Sequence, residues 1–411
     1  MFLAALLVSI LTTGWGHSDT SRYLSYNGLV MAGYQGWFNA PGDGCDRGWN
    51  HYQKKGAFEP GCCTIDAWPD MSEYTTGYET AFVHGDGSPA YVFSSYDRST
   101  VDLHFQWMKE YGIDGAFMQR FVQTLKNEKG VRHSKTVLSN ALESAVKYDR
   151  AICVMYDLSG MKASDVDIVI EDWKYLVDTL FVTSGQDNHY LYHNGKPLVA
   201  IWGVGFKGRD YGYPEFDKLL DFFRNDGKYG GCSILLGVPA RWRELGGDTD
   251  GDSRLHEVIR RADIVHPWYV GRFKEDSFDQ FAPTIQKDLE WCRSHGLDYV
   301  PVIWPGFSWH NLKPESSFNG IPRNKGRFFW KQISKCVEYG AEMFYYAMFD
   351  EIDEGTAIFK ITDNPPVGAS PFLDNEGMPS DWYLKLAGYG GKMMRHEVDY
   401  YDDIPYEGLL N

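Results

Sequence analysis

The chain has no Asn-x-Ser/Thr sequon, no internal repeat, no low-complexity linker and no Gly-rich turn after its first apolar run. The last absence argues against a doubly wound nucleotide-binding sheet. Beyond the first residues, no apolar stretch is long enough to span a bilayer. Basic residues are outnumbered, with Lys+Arg 40 against Asp+Glu 56 and a net charge of −16. Nucleic-acid binding needs clustered Lys and Arg to displace phosphate counterions, and anionic membrane surfaces also call for basic patches. Neither partner is expected; a neutral substrate fits better. Cysteines number seven. Cys153, Cys232 and Cys292 lie in or beside apolar segments and read as core. Cys45, Cys62 and Cys63 share a loop rich in Gly and Asp, where one disulfide is expected if the protein is exported. A zinc site would need a fourth ligand at regular spacing. None is evident, so no metal and no cofactor are expected.

What is present is the composition of a folded protein: 411 residues, 43% hydrophobic, 23% charged and 16% aromatic. The aromatic share fits either a ring-rich core or a cleft that packs the C–H faces of sugars. The apolar run Phe2 to Leu11 has the length of a signal-peptide core, although the usual basic flank and A-x-A site are missing. Residues 1–17 therefore read as a signal peptide and 18–411 as one domain, secreted or periplasmic.

Eight near-continuous apolar runs follow in order: Met31 to Trp37, Ala116 to Phe121, Ala151 to Tyr156, Leu198 to Trp202, Ser233 to Val238, Ile264 to Tyr269, Tyr299 to Trp304, and Met343 to Phe349. Runs of this kind suit strands buried on both faces. Between them lie helical patterns. Val101 to Tyr111 stops at Gly112, Pro214 opens Glu215 to Phe223, Phe328 to Tyr339 stops at Gly340, and Ser380 to Leu386 supplies the eighth. The pattern predicts an α/β fold, a single (β/α)₈ TIM barrel, with a long insertion after strand 1 from Asn39 to about Ser95.

Active sites of such barrels lie at the C-terminal ends of the strands. Here those ends carry Tyr34, Trp37, Asp157, Trp202, His266, Trp268, Trp309 and His310, all candidate substrate contacts. Trp37 and Trp202 fit a barrel core equally well, and His266 fits a buried, satisfied histidine nearly as well. The last strand runs into Asp350-Glu351-Ile352-Asp353-Glu354-Gly355-Thr356, with four carboxylates in five residues. Glycoside hydrolysis needs a proton donor for the leaving oxygen and a second carboxylate as nucleophile or base. Crowded acids raise at least one pKa, as a general acid requires. The segment Asp248 to Asp252 resembles a calcium loop, but Gly251 is misplaced and Ile259 stands where a bidentate Glu belongs, so it is no EF-hand. An irregular calcium site, or a substrate contact by Arg241, Trp242 or Asp252, remains open.

At these residues the sequence resembles the glycoside hydrolase family 71/99-like group, and is most similar to family 99, the retaining endo-α-mannosidases. The family motif Asn-Glu-x-x-Glu-Gly-Thr is matched by 350–356, with Asp350 in place of Asn. The first strand, Tyr34 to Phe38, and Arg323-Asn324-x-Gly326-x-Phe328 look similar too. Asp66-Ala67-Trp68-Pro69-Asp70-Met71 and Phe307-Ser308-Trp309-His310-Asn311 look typical of 71/99-like members. The resemblance implies a (β/α)₈ glycosidase without a metal, acting on an oligosaccharide or polysaccharide. It makes Glu354 the general acid/base and Glu351 the base that deprotonates the sugar 2-hydroxyl, through a 1,2-anhydro intermediate. It adds Arg323 to the substrate contacts, while Asp350 and Asp353 become candidates for tuning and support. The alternatives are an inverting α-glucanase of family 71 type, a non-catalytic carbohydrate-binding barrel, and a calcium-dependent hydrolase or lyase.

Overall fold

The computed structural model describes residues 21–184 and 189–410. The signal-peptide reading of residues 1–17 lies outside them. The barrel strands are β1 Val30–Tyr34, β2 Gly115–Phe121, β3 Ala151–Asp157, β4 Lys196–Trp202, β5 Ser233–Pro239, β6 Ile264–Trp268, β7 in two short runs, Asp298–Tyr299 and Val302–Ile303, and β8 Phe344–Tyr346. All pair in parallel with their neighbours, and β1 pairs with both β2 and β8. Pro301 lacks an amide hydrogen and divides β7. Its first run pairs with β6 and its second with β8, which closes the ring. The expected (β/α)₈ barrel is therefore observed.

Helices α1 Arg98–Tyr111, α2 Glu128–Tyr148, α3 Val166–Thr179, α4 Tyr213–Asn225, α5 Arg254–Ile259, α6 Phe278–Ser294, α7 Arg327–Glu338 and α8 Trp382–Met394 each follow one strand. Their ends obey local chemistry. Gly112 closes α1 at φ 77°, a left-handed conformation that costs glycine nothing, and its N–H donates to Met108 O. Pro214 sits in the first turn of α4, where the missing N–H has no partner to lose. Helix α8 continues well beyond Leu386, because its apolar face packs on α1 and α7. Between β2 and α3, buried Arg120 donates through Nε to Asp172 Oδ2 at 2.7 Å, so this strand-end arginine fastens the helical layer and leaves the cleft.

The insertion is more ordered than a loop. It contains an antiparallel hairpin, Tyr78–Val83 with Pro89–Val92, and its own ring cluster of Tyr52, Phe58, Trp68, Phe82 and Phe93. It also grips the chain that follows β8: Asp66 N donates to Ile352 O at 2.9 Å and Asp70 N to Lys360 O at 3.0 Å. Bulky aromatic burial explains the order, since each ring removes a large apolar area from water. All seven cysteines are free thiols, which corrects the expected disulfide among Cys45, Cys62 and Cys63. Cys45 lies beside Asp43 and His133, away from Cys62 and Cys63, which turn towards Lys54 O and Ser370. In the Asp248 to Asp252 loop the acids are already engaged: Asp248 with Arg272, Asp250 with the Tyr213 hydroxyl, and Asp252 with Arg254. Among the described residues, no group of three or more His, Cys, Asp or Glu is arranged to hold a metal ion. None of their helices is long and apolar enough to cross a membrane.

Candidate active site

Past β8 the chain makes a tight excursion whose two legs are zipped together. Ile358 N donates to Met348 O and Phe359 N to Phe349 O, both at 3.0 Å, while Phe349 N bonds Gly33 O at 2.7 Å. The tip, 350–356, is thereby aimed over the C-terminal mouth of the barrel. Within it, Thr356 N and Ala357 N both return to Glu351 O, at 3.1 and 3.0 Å.

Asp350 explains how this loop meets strand 1. Its two carboxylate oxygens accept Gln35 N at 2.7 Å and Gly36 N at 2.8 Å. An asparagine offers only one acceptor oxygen, so the acid suits two amides better. Burial lifts the Asp350 pKa to about 7, against the pull of those two N–H groups.

Glu351 and Glu354 both line a cleft of about 180 Å³ with Gln35, Trp37, Gln119, Phe121, Met155, Asp157, Ser159, Trp202, Trp268 and Met348. Their surroundings differ. Glu351 is buried and accepts one donor on each oxygen, Gln35 Nε2 and Thr356 Oγ1, both at 2.6 Å. Glu354 is partly exposed to the cleft, and among the described residues nothing donates to its carboxyl. Burial first, and then the charges of Glu354 and Asp353, push Glu351 well above the usual carboxylate range. Burial, then Asp353, raises Glu354 to about 8. Two such neighbours do not both ionise readily, so the pair retains a proton near neutrality. Donors favour the anion they bind, so Thr356 and Gln35 oppose the rise at Glu351, a pull that Glu354 does not receive.

The opposite wall comes from β3, β4 and β6. Asp157 accepts Ser159 N at 2.7 Å, and burial lifts its pKa to about 6. Trp202 and Trp268 meet edge to face, 5.5 Å apart. Trp37 stacks on His51 at 3.9 Å, and His51 Nδ1 reaches Asp353 Oδ2 at 3.1 Å. Among the described residues, Gln35 Oε1, Trp37 Nε1 and Trp202 Nε1 are buried without a protein partner. Orphaned polar atoms in a cleft wall are capacity left for a hydroxylated ligand.

Not every expected contact reaches this cleft. Tyr34 points outward from β1, fully buried, with its hydroxyl 2.8 Å from His104 Nδ1 on α1. His266 is buried beneath the floor, edge-on to Tyr345 at 4.4 Å, and burial lowers its pKa to about 3, so its ring is neutral there. Trp309 packs on Phe307, and His310 donates its backbone N–H to Asp66 Oδ2 at 2.8 Å. Asp66 also takes Ser308 Oγ and Asn311 N. The segments 66–71 and 307–311 thus belong to one buttress, in which Ser308 N holds Glu354 O at 2.9 Å. Arg323 lies behind the acidic loop, bonded to its carbonyls and not facing the cleft. Gln35, Gln119 and Thr356 were missed as site residues. The two glutamines carry a signal, being polar positions in otherwise apolar strands; Thr356 shows none outside the motif.

No family model matches the chain. A solved GH99 endo-α-mannosidase from Bacteroides thetaiotaomicron superimposes with a TM-score of 0.68, at 16% identity, over 91% of this chain and 100% of that one. The chain has the GH99 fold. A second structure of a GH99 endo-α-mannosidase from that genus, with bis-tris-propane, gives a TM-score of 0.66 at 17% identity. The chain is also similar to the glycoprotein endo-α-1,2-mannosidase-like proteins of Mus musculus, 21% identical over 299 residues, and Homo sapiens, 21% identical over 273. Those matches cover 72% and 65% of this chain, and it spans only 62% and 55% of the curated relatives' length. The resemblance read from the closing motif therefore holds in the GH99 fold, and the GH99-like barrel carries both carboxylates in the cleft at its mouth.

Proposed function

We propose that this protein is a glycoside hydrolase that cleaves within α-mannoside-type chains with retention of configuration, using Glu351 and Glu354. The observation that carries this reading is the asymmetry of the pair in one cleft: one carboxylate is held by two donors, and the other, among the described residues, by none. Glu354 protonates the leaving oxygen. Glu351 removes the proton from the sugar 2-hydroxyl, whose oxygen attacks C1 as the C1–O bond breaks, giving a 1,2-anhydro sugar. Glu354, now a carboxylate, takes a proton from water; that water opens the ring at C1, and the 2-oxygen recovers its proton from Glu351. Two inversions at C1 give net retention. The route needs a 2-hydroxyl trans to the leaving group, as α-mannosides have. Asp157, Trp37, Trp202 and Trp268 supply a carboxyl and ring faces that suit a neutral sugar.

The GH99 fold and the mannosidase-like relatives support the same reading. The apolar run Phe2 to Leu11 supports action outside the cytoplasm, as a secreted or periplasmic enzyme. The test is a panel of α-mannosides and α-glucans with wild type and both Glu→Gln variants, following the product anomer by NMR. Turnover of an α-mannoside with initial release of the α-anomer is expected. Release of the β-anomer first, or glycan binding with no turnover in the wild type, contradicts the proposal.

A further inference from the structure

We infer that Arg323 is a positioning residue for the catalytic pair, an inference that rests on the roles given above to Glu351 and Glu354. Arg323 is 2% exposed, and its guanidinium lies 4.6 Å over the ring of Tyr383. A single nitrogen, Nη2, donates to Gly355 O at 2.9 Å and to Ala357 O at 2.6 Å. These two carbonyls flank Thr356, whose hydroxyl holds Glu351, and Gly355 directly follows Glu354. One cation thus pins the short peptide that carries a donor for the base and anchors the backbone of the acid.

Packing alone does not account for an arginine here. Among the described residues no carboxylate forms an ion pair with it, although the charge of Glu376 favours its protonated form, and Nε and Nη1 have no hydrogen-bond partner. Burying a charge in this way is expensive, and an apolar side chain of similar volume would fill the space at lower cost. The chain also makes room for it: a Cβ on Gly306 would stand 2.7 Å from Arg323 Cγ and 2.9 Å from Ile321 O. Opposite the arginine, Gly355 adopts φ 63°, and a Cβ there would meet Ser308 N and O at 3.1 Å. The loop is therefore clamped between Ser308 on one side and Arg323 on the other. Two planar N–H bonds from one nitrogen fix direction as well as distance, which an ammonium does less well.

Arg323 also lines a cavity of about 240 Å³ with Phe318, Phe372, Asp374 and Glu376. This gives the test a route, because a small cation can enter beside two carboxylates. Arg323→Ala, Arg323→Lys and Glu354→Gln are compared with wild type on one α-mannoside substrate, with and without guanidinium chloride, against equal NaCl. For Arg323→Ala, kcat is expected to fall about a hundredfold, the scale of a misplaced catalytic group. KM should stay within about threefold, since no substrate contact is lost. Guanidinium should restore kcat about tenfold. An unchanged kcat, a loss confined to KM, or a loss that guanidinium does not restore overturns the inference. If Arg323→Ala does not fold, Arg323→Lys decides. At wild-type melting temperature, a clear fall in kcat supports the role and an undiminished kcat overturns it. Undiminished activity of Glu354→Gln would instead overturn the catalytic reading itself, whatever the arginine variants do.

Discussion

Thr356→Val removes one hydroxyl while keeping the shape of a buried, β-branched side chain. Glu351 Oε2 then loses its 2.6 Å donor and keeps only Gln35 Nε2 on the other oxygen. A hydrogen bond to a charged group contributes about 1.5–3 kcal/mol. At about 1.4 kcal/mol per pKa unit, its loss raises the pKa governing Glu351 ionisation by about one to two units. In the proposed mechanism Glu351 is ionised when it accepts the 2-hydroxyl proton, so the acidic limb of kcat/KM against pH is expected to move upward by that amount. The alkaline limb, assigned by the same proposal to Glu354 losing its proton, should move less, because the Glu354 carboxyl is raised by burial and Asp353. The assay is initial rate on an α-mannoside across the pH range, with melting temperature measured at each pH. Activity falling equally at every pH with both limbs in place would refute the assignment of Glu351 as the titrating base.

Asp350→Asn replaces an acceptor oxygen by a donor that faces either Gln35 N or Gly36 N. Leaving one buried amide unpaired should cost about 1–3 kcal/mol in chemical denaturation, and a neutral effect would mean that the two bonds do not hold strand 1 to the loop. The buried acids also tie stability to pH. Asp350 holds its proton to about 7 and Glu354 to about 8, and Glu351 is raised in the same sense, whereas the unfolded chain releases these protons near pH 4. At these three groups the folded state binds more protons between these limits, so their contribution to stability should decline as pH rises from about 4 towards 8. The decline should be clearest above the range in which the buried histidines His104, His133 and His266 act in the opposite sense. Melting curves of Glu351→Gln/Glu354→Gln should show a shallower decline, and a slope equal to that of wild type would contradict the burial argument.

The barrel was legible because strands buried on both faces leave continuous apolar runs, and Gly112, Pro214 and Gly340 mark helix boundaries by their backbone chemistry. β1 and β8 end at Tyr34 and Tyr346, short of the expected Trp37 and Phe349, and Pro301 divides β7. The acidic loop was legible because charge is costly at a strand end unless it is used. Side-chain direction was not. Tyr34 follows the strand alternation outward to α1, and Arg120 does the same towards α3. Arg323, Trp309 and His310 lie near the site in sequence terms, but their partners are carbonyls, rings and Asp66, contacts fixed only when distant segments meet. The insertion looked like a loop because its order comes from rings packing across it, without a repeating period.

The role of Glu354 as proton donor is the claim on which the account turns, and leaving-group dependence tests it most directly. An α-mannosyl fluoride needs little protonation to depart, whereas an alkyl α-mannoside needs much. The account predicts that Glu354→Gln loses turnover of the alkyl mannoside but still consumes the fluoride, while Glu351→Gln loses both. Equal loss on both substrates in Glu354→Gln, or retained turnover of the alkyl mannoside, would contradict it.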